Sequence, residues 1–203
     1  MVLGLAAGTR RDVRATAQAS LTLLETRDDA VVLELDVPGV TLSPSHRLPG
    51  TQTVYVPGLD GVAGEPGQPR LPATSTLVAI PPGADVSLQI LEDRSQQVAT
   101  GIHLEPMPFE EPESARHFLE QPEALDRLAN PLDAYVGTHK VYAPAAARPT
   151  RADFRPARLV ERGYLRDQAF VRVVLEPLEY REDGSLYLHR RLRIAIRFDP
   201  AVS

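Results

Sequence analysis

Arg191-Leu192-Arg193-Ile194-Ala195-Ile196-Arg197-Phe198 decides the fold class. Leu192, Ile194, Ile196 and Phe198 occupy every second position, with Arg191, Arg193, Ala195 and Arg197 between them. Period two belongs to a strand with one face in a core and the other in water. The arginines share the wet face, spaced about 7 Å apart along it. Acids from neighbouring strands are expected beside them.

The same signal recurs toward the N-terminus. Glu182-Asp183-Gly184-Ser185 predicts a hairpin turn, because Asp-Gly accepts positive φ. Phe170–Leu175 is a strand closed by Pro177, approached through a coil rich in arginine and interrupted by Pro144, Pro149 and Pro156. Thr76–Ile80, Pro81-Pro82-Gly83 and the alternating Asp85–Leu91 together predict a second hairpin. Residues 57–72 form a Gly/Pro-rich crossing that cannot be helical, after a short strand at Thr51–Val56. Val31, Leu33, Leu35 and Val37 alternate with polar Glu34 and Asp36, and Leu21–Leu24 is a short apolar run before them. Eight to ten short strands at about ten-residue spacing predict a mostly β chain, an antiparallel, jelly-roll-like β-sandwich.

One segment departs from this pattern. Residues 105–133 hold eight acids against Arg116 and Arg127, with too few apolar residues for a core helix. They are expected to form an exposed, partly helical excursion, with Pro112 opening a helical turn. The expected organisation is a flexible lead-in over 1–18 and a single sandwich over 19–200 that carries this excursion.

Composition narrows the chemistry. The chain has 203 residues, 19 of them Pro, with no Cys and no Trp. Proline at nearly twice its usual share of about 5% argues against long helices. Without cysteine the chain holds no disulfide, thiolate nucleophile or Cys-ligated metal. A net charge of -5 argues against nucleic acid as the main partner. No apolar run approaches the roughly 18 residues of a membrane span.

Candidate reactive groups are sparse. His46, His103, His117, His139 and His189 are at least fourteen residues apart, so no local metal motif exists. No GxSxG, P-loop or GxGxxG occurs, and Gly64-Glu65-Pro66-Gly67 is too proline-rich to cradle a phosphate. Glu110-Glu111 and Asp28-Asp29 are carboxylate pairs in polar loops, not the walls of an apolar pocket. The expectation is a module with no catalytic residue, metal or cofactor.

Three ordered segments resemble the N-terminal propeptide of gingipain-like cysteine peptidases, the peptidase C25 family. Gly64-Glu65-Pro66-Gly67-Gln68-Pro69-Arg70-Leu71-Pro72 precedes Leu77-Val78-Ala79-Ile80-Pro81, similar to a Gly-x-Pro-x-Leu-Pro stretch before a strand ending in Ile-Pro. Phe154-Arg155-Pro156 and Gly163-Tyr164-Leu165-Arg166-Asp167 resemble the family's aromatic-x-Pro followed by Leu-Arg-Asp or Leu-Arg-Gly. Val173-Val174-Leu175-Glu176-Pro177-Leu178-Glu179-Tyr180 with Gly184-Ser185-Leu186 resembles its closing hairpin, although Arg181-Glu182 stands where Asn-Pro is frequent.

The resemblance implies a secreted or cell-surface prodomain that assists folding of a cysteine peptidase and covers its active-site cleft. The partner is the cognate catalytic domain, on the same precursor or a separate chain. It further implies an inhibitory loop that offers a basic residue to the specificity pocket. That loop falls within 105–133, where Arg116 is the first candidate and Arg127 the second. Two other readings remain open at this point. One is a non-catalytic adhesion or carbohydrate-binding module, which needs an exposed aromatic platform. The other is a β-sandwich hydrolase, which has no motif to support it.

Overall fold

Thirteen strands and no helix make up the described residues, 17–65, 67–107, 135–137, 140–142 and 154–199 of a computed structural model. The strands are β1 (Ser20–Thr26), β2 (Ala30–Asp36), β3 (Thr41–Pro44), β4 (Gln52–Tyr55), β5 (Gly61–Ala63), β6 (Leu71–Ala79) and β7 (Asp85–Ala99). They continue with β8 (Tyr135–Gly137), β9 (Lys140–Tyr142), β10 (Ala157–Leu165), β11 (Gln168–Leu175), β12 (Leu178–Tyr180) and β13 (Leu186–Asp199).

The period-two stretch quoted above lies in β13, at the centre of a five-stranded antiparallel sheet. β13 pairs with β2 and β12 along one edge and with β7 along the other, and β1 closes the sheet beyond β2. A second sheet runs β10-β11-β6-β5, also antiparallel. β3 with β4 and β8 with β9 form two small hairpins.

Alternation sorts the side chains of both large sheets. Leu192, Ile194 and Ile196 of β13 are fully buried, as are Val171, Val173 and Leu175 of β11. They join Leu33 and Leu35 of β2 and Val78 of β6 in a single cluster. Two sheets that share one core in this way are packed as a sandwich.

The wet face of β13 carries the expected acids. Arg193 donates from Nε and Nη2 to Glu34 Oε2 at 3.0 and 2.6 Å, with Glu92 on its other side at 3.8 Å. Arg191 donates to Asp36 at 3.1 Å. Arg197 instead donates to the amide oxygen of Gln89. The turn at 182–185 is also as expected: Gly184 has φ 73°, and the Ser185 N–H donates to Asp183 Oδ1 at 2.9 Å.

Three expectations are corrected. The segments around Pro81-Pro82-Gly83 are not a hairpin: β6 belongs to the four-stranded sheet and β7 to the five-stranded one. Two prolines without N–H groups and Gly83 at φ 73° carry the chain across the core instead. The arginine-rich coil contains a strand, since β10 pairs with β11 from Ala157 to Leu165. Its position at a sheet edge lets charged side chains reach water from both faces. Glu105 is not exposed: it is 3% accessible. The rest of the acidic excursion, from residue 108 on, lies outside the described residues, as does its expected helical character. The lead-in lies outside them up to residue 16.

Candidate functional site

Arg116 and Arg127 lie outside the described residues, as do His117, His139 and Glu110-Glu111. What the structure describes is the place where the chain leaves toward them and comes back.

The departing stem is Leu104–Met107. Leu104 bridges Gln52 in parallel, and Pro106 bridges Pro69 antiparallel. Around them the Gln52 N–H donates to the His103 carbonyl, the Glu105 N–H to Gln52, and the Arg70 N–H to Glu105. The Met107 N–H donates to the Gln68 carbonyl at 2.6 Å, and the Gly67 N–H to the Met107 carbonyl at 3.0 Å. The Tyr180 hydroxyl donates to the Ile102 carbonyl at 2.8 Å, and burial raises its pKa.

Glu105 is the side-chain bolt of this stem. Ser45 Oγ donates to its Oε2 at 2.6 Å and accepts the N–H groups of Arg47 and Leu48. Arg47 Nη1 stands 3.9 Å from the other carboxylate oxygen. A buried carboxylate persists only with such partners.

The returning stem begins at Phe154. Its ring packs on His189, with centroids 5.8 Å apart. It lines a cleft of about 130 Å³ with Gly64, Glu65, Gln68 and Pro69. Arg158 and Glu176, paired at 2.6–2.8 Å, close another side. Both stems therefore reach the same Gly/Pro-rich turn. Gly64, at φ 129°, makes that possible: a Cβ there would stand 2.6 Å from the Pro69 carbonyl oxygen and 3.3 Å from Met107 Cγ.

The remaining sequence candidates have structural surroundings. His189 is buried, with Nδ1 2.7 Å from Asp93 Oδ1, and its Nε2 is closed off from solvent. That pair anchors the imidazole on which the Phe154 ring packs. Asp28-Asp29 form the β1–β2 turn, where the Asp29 carbonyl accepts the Phe198 N–H. Among the described residues no group of three His, Asp or Glu could hold a metal ion. Among them no helix is long and apolar enough to cross a membrane. Among the described residues the exposed aromatics Tyr55 and Tyr164 stand on β4 and β10, in different sheets, and make no shared platform.

Sequence reasoning missed Glu105, because its partner Ser45 is 60 residues away. It also missed that Gly64, Glu65 and Gly67–Pro69, within the stretch quoted for its family likeness, meet both stems. The clue was the glycine and proline density of that stretch, which signalled a close approach without naming what approaches.

The sequence matches no family model and no curated protein. The fold does match solved structures, two of them from Porphyromonas gingivalis. One was determined for the zymogenic latency of gingipain K. It is 17% identical, with a TM-score of 0.65, over 91% of this chain and 95% of that one. The other is the complex of the pro- and mature domains of RgpB, 14% identical with a TM-score of 0.64, over 88% of this chain and 82% of that one. The likeness is one of fold, and it spans most of both chains in each comparison.

Proposed function

Because the chain is folded as a gingipain-propeptide-like domain, we propose that it is a non-catalytic propeptide of a gingipain-like cysteine peptidase. It assists folding of the catalytic domain and holds it latent by covering the active-site cleft, at a secreted or cell-surface location. The fold likeness over 91% of the chain carries this reading. The two stems support it: chain leaving and returning at one bonded turn is offered to a partner from a fixed base, which limits the entropy lost on binding.

Arg116 is the residue proposed to enter the specificity pocket, with Arg127 as the second candidate. A guanidinium can meet a pocket carboxylate through two parallel hydrogen bonds. The test is inhibition of the cognate catalytic domain by the separately produced chain. The unaltered chain is expected to inhibit and to be cleaved slowly or not at all. Arg116→Ala is expected to raise the inhibition constant about tenfold or more, and Arg127→Ala less. If neither changes it, the arginine assignment is wrong. If the unaltered chain neither inhibits nor raises the refolding yield of the catalytic domain, the propeptide reading is wrong.

A further inference from the structure

The β10–β11 hairpin ends in a two-residue turn, Arg166-Asp167, between the paired Leu165 and Gln168. Arg166 has φ 56° and is the one non-glycine residue at positive φ among the described residues. A side chain with a Cβ is sterically penalised there, whereas Gly holds the first position of such a turn at ease. Strain of this kind persists where the surroundings enforce it, and it concentrates at functional surfaces.

The surroundings do enforce it. Gln168 Nε2 donates to the carbonyls of Ile80 and Ala169 at 3.1 and 2.9 Å. Arg162 Nη2 donates to the Ala84 carbonyl at 3.3 Å. The ring of Phe170 covers Gly163 so closely that a Cβ there would stand 2.7 Å from its far carbon. The hairpin is thus braced on the crossing at 80–84.

The braced tip presents apolar surface. Tyr164 and Leu165 are 71% and 68% accessible, the most exposed large hydrophobic residues among those described. No described carboxylate pairs with Arg166, so its charge is open to an acid from outside. Tyr and Arg are the residue types that dominate binding energy at protein interfaces.

We infer that Tyr164-Leu165-Arg166 is a docking tip that seats on the peptidase domain, where that domain offers a carboxylate beside an apolar depression. The inference rests on the propeptide reading and adds a contact separate from the segment that carries Arg116 and Arg127. Charge complementarity selects the partner's chemistry: an unpaired guanidinium gains most from a carboxylate in a site that excludes water.

The test measures binding of the full chain to the cognate catalytic domain, produced without a propeptide and blocked at its active-site cysteine. Arg166→Gly is expected to melt at the same temperature or higher, because Gly suits the positive φ at the first position of this turn, and to bind at least about tenfold more weakly. Tyr164→Ser with Leu165→Ser is expected to weaken binding similarly, and Arg166→Lys less than Arg166→Gly. Binding within twofold for both Arg166→Gly and the double variant overturns the docking tip while leaving the propeptide reading intact. A clear fall in the melting temperature of Arg166→Gly also overturns it, by making Arg166 a structural residue. No binding by the unaltered chain overturns the propeptide reading and this partner together. Self-association of the chain abolished by the same substitutions assigns the tip to a second copy and overturns the inference.

Discussion

Glu105 shows how one residue can decide where a segment begins. Its backbone is bonded on both sides, to Gln52 and Arg70, while its carboxylate takes the Ser45 hydroxyl. Removing the carboxylate leaves that hydroxyl without its acceptor in a partly buried setting. Glu105→Ala is expected to cost about 1–3 kcal/mol in urea unfolding, as buried hydrogen-bond partners do. Ser45→Ala is expected to cost at least as much, because it strands the buried carboxylate and two N–H groups, and the double variant less than the sum, because the two share one interaction. Additive costs would separate them. The sequence could not reveal this role. Glu105 opens a run of acids that is rightly read as polar, and the hydroxyl that buries it comes from a loop between β3 and β4.

Strands differ in how openly their sequences declare them. Leu192–Phe198 of β13 and Val31–Asp36 of β2 alternate because each stretch has one face in the core and one lined with ion pairs, so period two survives there. The turn before β13 is equally legible, since Asp183 and Gly184 each do what their chemistry suits. β10 was hidden because an edge strand can expose both faces. The distal half of β7, Glu92–Ala99, was hidden because it extends along β13 with polar residues where alternation was sought. The crossing at Pro81-Pro82-Gly83 was misread because hairpins and sheet-to-sheet crossings call for the same turn residues. Asp183 offers a test at this scale. The backbone N–H of Ser185, and then its hydroxyl, hold the Asp183 carboxyl below the ordinary aspartate range. A depressed pKa contributes stability that is complete above the unfolded value of about 4 and is lost as pH falls through the lower folded value. Asp183→Asn is therefore expected to flatten the chain's loss of stability as pH falls below about 4, relative to the unaltered chain, in urea midpoints. An unchanged pH slope would remove the turn from the account.

The whole molecule rests on one core shared by two sheets, and its fold is common to chains 14–17% identical to it. Apolar periodicity and turn placement can specify such a sandwich with few residues in common. Ile194 sits at the middle of that core with no accessible surface. Ile194→Ala is expected to cost about 2–5 kcal/mol and to lower both sheets' stability in a single transition. Two separate transitions would show that the sheets fold independently. The central place of β13 has a further consequence, in the order of synthesis. Of the five strands in its sheet it is the last to leave the ribosome, and it is the one that joins β2, β7 and β12. Until it emerges, the apolar faces of β2 and β7 have no strand between them and the sheet cannot close. Closure of this sheet therefore waits until β13 has been made, although its other four strands precede it in the chain.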